Sequence, residues 1–179
     1  MKEVFLVAGK AQNGKGTFAS LLKEQIEINT REKVLIISFG DLVKFVCANY
    51  LGWDGKKDAV GRTTLQYVGT DLVRKKEPNF WRDWVVKLVG LFEDEFQYCI
   101  IPDVRFKNEI EFSDKWKVTT IRVNRLNFES PLTEEQQNHR SETELDDFDF
   151  DYNVYASSLQ ELKASAVKFA ERIYYESNN

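Results

Sequence analysis

The sequence predicts an α/β fold in three layers: a mostly parallel sheet with helices on both faces and an added lid segment. Three observations lead there. Short apolar runs of strand type alternate along the chain with stretches whose apolar residues recur at helical spacing. Strands that alternate with helices need crossover connections, which place the strands parallel and cover both faces of the sheet. The first run also passes through a glycine-rich turn directly into a helix, at residues 9–17. The length of 179 residues suits a single domain over 1–179.

The elements follow in order. Val4-Phe5-Leu6-Val7-Ala8 is the first buried strand. A helix runs from about Lys15 to Ile28, with Phe18, Leu21, Leu22 and Ile26 as its apolar stripe. Val34 to Phe39 reads as a second strand, and Leu42 to Tyr50 as a helix after Gly40-Asp41. Asp41 can serve as N-cap, or reach a ligand at the C-terminal edge of the sheet. Residues 52–62 are loop-like, Thr63 to Lys76 has helical spacing, and Pro78 stops it. Phe80-Trp81 opens another helix, whose stripe is Trp84, Val85, Leu88, Val89 and Phe92. Tyr98 to Pro102 is a third buried run that ends in Asp103-Val104-Arg105. A short helix carries Asn108, Glu109 and Phe112, and Val118 to Val123 is a fourth strand. Residues 124–149 are polar and acidic, the character of a lid or a linker. Asp151 to Tyr155 adds a last strand, and Leu159 to Ile173 a helix with one apolar face.

Composition narrows the function. A net charge of −4 argues against a general nucleic-acid binder, so an anionic ligand needs local clusters of Arg and Lys. Cys47 and Cys99 lie far apart in apolar runs and read as buried free thiols. The single histidine, His139, rules out a multi-His metal site and receives no proton-transfer role. No stretch is apolar enough to span a membrane, and the N-terminus runs straight into a strand without a signal peptide. A reducing cytoplasm fits these features.

GKAQNGKGT at 9–17 matches G-x-x-x-x-G-K followed by Gly-Thr, with the hydroxyl one place later than in the strictest pattern. Backbone N–H groups of such a loop can wrap a polyphosphate, and the helix N-terminus adds a positive dipole. Lys15 can reach the outer phosphates, and Gly16 and Thr17 donate at the helix start. The fold expectation is thus a P-loop NTPase. No Asn-Lys-x-Asp stretch for guanine selection is present, and the chain is short for a motor or helicase. Arg62, Arg74, Arg105, Arg125 and Arg140 are spread over segments that follow strands, where phosphoryl transfer needs cations. Each is also readable as a solvated surface charge. A phosphate acceptor needs no strong base, because its oxygen is already anionic.

Four stretches carry a resemblance: GKAQNGKGT; RTTLQYVGTDLVRKKEPNFW at 62–81; IIPDVRFKNE at 100–109; and HRSETELDDFDFDYNV at 139–154, followed by SLQEL at 158–162. In this order they resemble the phage-type deoxynucleoside monophosphate kinases and, more distantly, the animal-type phosphomevalonate kinases. The resemblance implies ATP with Mg²⁺ as donor and a deoxynucleoside monophosphate as acceptor. It implies ATP-phosphate contacts from Gly9, Asn13, Gly14, Lys15, Gly16 and Thr17. Mg²⁺ would be bound through Thr17 and, by way of water, Asp103. An acceptor segment of about 41–80 would use Asp41, Lys44, Arg62, Gln66, Asp71, Arg74 and Trp81, joined by Arg105. Asp103 and Arg105 form a strand-end pair, and His139, Ser141 and Glu142 match the part next to the lid, about 125–149. Arg140 or Arg125 from that lid would screen the transferring group, which gives Lys15, Asp103, Arg105 and Arg140 as the catalytic set. Trp81, Phe80 and Tyr67 are candidate base-stacking partners, Trp81 equally a core residue. Gly16 stands where many relatives carry Asp, and Tyr155-Ala156-Ser157-Ser158 replaces their Asn and Gly, so no adenine contacts carry over. Expected partners are ATP and a nucleoside monophosphate, without nucleic acid or membrane; a homodimer is compatible. The rivals are the same chemistry on phosphomevalonate or dephospho-coenzyme A, and a nucleotide-binding switch without catalysis.

Overall fold

The structure, a computed structural model, describes residues 1–178. Strand β1 (Glu3–Ala8) is buried along its whole length, as an apolar run in the middle of a sheet must be. It is flanked by β3 (Tyr98–Val104) and β4 (Lys117–Arg125), with β2 (Val34–Ile36) and β5 (Tyr152–Ala156) at the edges, in the order β2-β3-β1-β4-β5. Every pair is parallel; Phe5 faces Ile100 on one side and Thr119 on the other.

Alternation along β1 splits the core in two. Val4, Leu6 and Ala8 point to one face, where α2 (Gly40–Tyr50) and α4 (Phe80–Phe92) contribute Val43, Cys47, Trp81, Val85 and Val89. Phe5 and Val7 point to the other, against Phe18, Leu22 and Ile26 of α1 (Lys15–Thr30) and Leu162, Phe169 and Ile173 of α8 (Leu159–Asn178). Phe169 meets Phe5 edge-on at 5.6 Å. Each such buried side chain contributes on the order of 1.5–3 kcal/mol. Both cysteines are buried and unbridged. Among the described residues, no helix is long and apolar enough to cross a membrane.

Three elements differ from the sequence reading. Strand β2 stops at Ile36 rather than Phe39; beyond it the Ile37 amide still donates to the Ile100 carbonyl of β3 at 3.2 Å, and the next amides turn to Asp41 and Asp103. Asp41 is not the N-cap of α2, which begins at Gly40. The amides of Phe39 and Gly40 donate instead to Asp103 across the sheet edge (2.9 and 2.7 Å), while Asp41 accepts from Ser38 N–H and from Lys44. The helix read over Thr63 to Lys76 starts earlier, as α3 (Ala59–Gln66), capped by Asp58 on the Gly61 amide at 2.9 Å. It then widens into a π-helical stretch (Tyr67–Arg74). The Gly69 carbonyl of that stretch accepts from Trp81 Nε1 at 2.8 Å.

The polar stretch after β4 is built rather than loose. It forms α6 (Glu134–Asn138) and α7 (Arg140–Thr143), and it buries Leu132, Gln136, Ser141, Glu142 and Leu145.

Candidate active site

The loop between β1 and α1 owes its shape to two glycines. Gly9 has φ +146°, and a Cβ there would sit 2.4 Å from the Val123 carbonyl oxygen. Gly14, at the helix N-cap, has φ +90°, a conformation that side chains rarely adopt. Asn13 Nδ2 ties the loop to the same Val123 carbonyl at 3.4 Å. Lys15 opens α1 and is 8% exposed. Its Nζ curls back to donate to the carbonyls of Gly9 and Lys10, both at 2.8 Å. Burial, and then the nearby Arg105 guanidinium, lower its pKa to about 7. Gly16 and Thr17 lie exposed in the first helical turn, where amides have no partner within the helix.

A cavity of about 630 Å³ opens in front of this loop. Six cationic side chains line it (Lys15, Lys44, Lys57, Arg62, Arg74 and Arg105) against three carboxylates (Asp103, Glu109 and Glu142), so it favours an anion. All three carboxylates are already engaged. Asp103 holds the two amides at the start of α2; desolvation raises its pKa although those bonds oppose the rise. Glu109 pairs with Arg74 and accepts from the amide of Arg105 at 2.7 Å. Glu142 pairs with Arg105 and accepts from the Ala11 amide at 2.9 Å, and its carbonyl accepts from Lys10 Nζ at 2.6 Å. The third carboxylate thereby ties the glycine-rich loop to the end of β3.

Lys44 is paired with Asp41 at 2.8 Å. Lys57 and Arg62, among the described residues, meet no carboxylate within ion-pair distance, and both face the cavity. Desolvation, then repulsion by Lys44, Arg62 and Arg105, push the Lys57 ammonium below the usual lysine range. Its position is set by its neighbours. Trp53 Nε1 donates to the Lys56 carbonyl at 2.8 Å, and Gly61 lies so near that a Cβ would be 2.0 Å from that oxygen. Gly61→Ala is therefore expected to displace the Lys56-Lys57 turn and to cost about 1–3 kcal/mol in denaturant unfolding. An unchanged midpoint would show that the turn yields freely.

The cavity wall contains most of the residues singled out from sequence: Gly14, Lys15, Gly16, Thr17, Lys44, Arg62, Gln66, Arg74, Trp81, Asp103 and Arg105. Gly9 and Asn13 shape the loop from behind. Three others lie elsewhere. Asp41 spends its carboxylate on Ser38 and Lys44. Asp71 is exposed and stands 3.6 Å from His139 Nε2. Arg140, read as reaching the transferring group, is exposed and paired with Glu144 one turn on, because the inward positions of α7 are taken by Ser141 and Glu142. Arg125 lies beside the loop instead, donating to the Gln12 carbonyl at 3.4 Å. Tyr67 and Phe80 are exposed outside the cavity wall, and Trp81 is 2% exposed and hydrogen-bonded to Gly69, a wall rather than a free stacking face. Sequence reasoning gave no role to Lys57 or to Glu109. A lysine in a Gly-flanked loop looks like any solvated charge, and Glu109 reads only as one residue of a short helix.

A family model described as deoxynucleotide monophosphate kinase matches residues 41–165, more than half of the chain. The match begins after the glycine-rich loop, so the reading of residues 9–17 rests on motif and geometry. No curated protein sequence matches. Among solved structures, the chain is similar to an unliganded sugar kinase from Janibacter sp. HTCC2649, at 8% identity and TM-score 0.50, over 96% of this chain and 93% of that one. At that identity the likeness shows the fold alone.

Proposed function

The chain belongs to the deoxynucleotide monophosphate kinase family, and we propose from that premise how its cavity divides between donor and acceptor. The enzyme is a phosphotransferase whose substrates are a nucleotide and a nucleoside monophosphate. Its proposed reaction moves the γ-phosphoryl group of ATP onto a phosphate oxygen of the deoxynucleoside monophosphate and releases ADP.

The donor triphosphate lies along residues 9–17, with the first amides of α1 and Lys15 against its outer phosphates. The acceptor phosphate lies opposite, between Lys57, Arg62, Arg74 and Arg105. The observation that carries this division is the pair of cations, Lys57 and Arg62, that among the described residues meet no carboxylate and share a cavity with Lys15. No free carboxylate lines the cavity to act as a base, since Asp103, Glu109 and Glu142 are all engaged. None is needed, because the attacking oxygen is anionic and catalysis reduces to positioning and charge neutralisation.

The residues also fit Mg²⁺. Among the described residues no group of three or more His, Cys, Asp or Glu side chains could cage an ion. Mg²⁺ typically uses few protein ligands and keeps waters and substrate phosphates. Thr17 would bind it directly; Asp103, whose oxygens each accept an amide, suits a water-bridged contact. When bound, the ion would neutralise charge on the donor phosphates.

The segment after β4 closes the acceptor side. Gln136 Nε2 donates to the Ala59 carbonyl and to Thr63 Oγ1 (3.2 and 3.3 Å), which fastens α6 onto α3. Leu132 completes the cavity wall. Such closure limits water as a competing acceptor. Two buried, unbridged cysteines support a reducing cytoplasm as the location.

The test is a split of kinetic constants. Lys57→Met and Arg62→Met are each expected to raise the KM of the deoxynucleoside monophosphate about tenfold or more, the loss of one charge-assisted contact, with the KM of ATP little changed. A rise confined to the KM of ATP would reverse the assignment of the two halves.

A further inference from the structure

Glu109 is 1% exposed, and each of its oxygens is committed to a different part of the acceptor side. Oε1 accepts from the guanidinium of Arg74. Oε2 accepts from the backbone N–H of Arg105 at 2.7 Å and of Phe106 at 3.1 Å. The Phe106 ring in turn carries the Arg74 guanidinium, 4.0 Å from its centroid. One carboxylate thus holds the side chain of one cavity arginine, the backbone of another, and the backbone of the residue whose ring lies under the first.

We infer that Glu109 is a positioning residue for the acceptor phosphate, orienting Arg74 and Arg105 together without touching substrate. This rests on the acceptor reading above. Fixing a guanidinium before binding removes the rotamer entropy that binding would otherwise cost. The site is also chemically demanding. All three neighbours of the carboxylate are N–H donors, and only an acceptor-only group satisfies them together. A buried carboxylate is a costly choice if stability were the sole purpose, since apolar packing of like volume does as well or better. Burial, opposed chiefly by Arg74, pushes its pKa up to about 7, a sign of that cost.

The near-isosteric variant Glu109→Gln separates the roles. Its amide NH₂ must face either Arg74 or the amides of Arg105 and Phe106, so one of the two arginines loses its anchor. The expected result is an acceptor KM raised about tenfold or more with the KM of ATP within about twofold. In an Arg74→Met background the same substitution should add much less than this, because the two residues act as one unit. A Glu109→Gln enzyme that melts earlier but keeps its acceptor KM would overturn the inference and leave a merely structural carboxylate. If Glu109→Gln does not fold, Glu109→Asp replaces it: the shorter arm cannot span both contacts, so an unchanged acceptor KM overturns the inference and a raised one supports it. If Arg74→Met leaves the acceptor KM unchanged, the acceptor reading itself fails, and the inference falls with it.

Discussion

Replacing Lys15 by methionine is expected to lower turnover by about 10²–10³-fold or more, the loss of a preorganised cation at the transferring phosphates. The fold should survive, because only two hydrogen bonds to loop carbonyls are lost. The same lysine predicts a pH dependence. Without ligand its pKa is about 7 against an ordinary 10.5, since burial disfavours the ammonium. A bound polyphosphate restores the charge and raises the pKa again. ATP binding is then accompanied by proton uptake above about pH 7, and affinity falls by up to about tenfold per pH unit there, while Lys15 sets no slope below. Calorimetric titration of ATP from about pH 6 to about pH 9 measures this slope. Lys15→Arg, which keeps its charge throughout, should flatten it. A profile in the parent enzyme as flat as in Lys15→Arg would contradict a lysine neutral in the free enzyme. The stability sign is opposite: the unfolded chain holds this proton up to about 10.5 and the fold only to about 7. Lys15 therefore makes stability rise with pH through that window, and Lys15→Met should remove the rise.

Arg105→Met is the second large effect. kcat/KM should fall by about 10²–10³-fold, because under the proposed division of the cavity this guanidinium stands between donor and acceptor phosphates and neutralises charge on both. Unlike Lys15→Met, this variant also loses stability, by about 1–3 kcal/mol, because Glu142 is left without its charge partner. The Glu142 side chain is 4% exposed; that of Arg105 is 29% exposed, which keeps the loss below that of a fully buried pair. Adding Glu142→Gln removes the stranded charge while its amide oxygen can still accept from the Ala11 N–H. The double variant should recover most of the stability and none of the activity. Thermal melts beside steady-state kinetics decide this. A single variant as stable as the parent would mean that Glu142 needs no counter-charge.

These predictions use residues of two kinds. Some were legible because their signal is contiguous. The loop at 9–17 lies between an apolar run and an amphipathic helix, and its glycines mark positions where backbone crowding or positive φ excludes a side chain. Strand β3 ends at Val104, between Asp103 and Arg105, whatever lies around it, and both of these line the cavity. Helix α4 starts and stops where its stripe and Pro78 place it.

Other residues depend on partners far along the chain. Asp103 satisfies the start of α2 from across the sheet, a task that local capping rules gave to Asp41. Glu142 meets Ala11 and Arg105 only because the segment after β4 folds back over the loop. Lys57 enters the cavity through a turn held by Trp53 and Gly61, whereas Arg140, as good a candidate by composition, faces outward on α7. Periodicity and glycine placement record the backbone's local sterics, so the sequence alone determined the layers, the loop and the strand ends. Which charges converge is a property of side-chain direction in the packed state, and only the tertiary structure decided it.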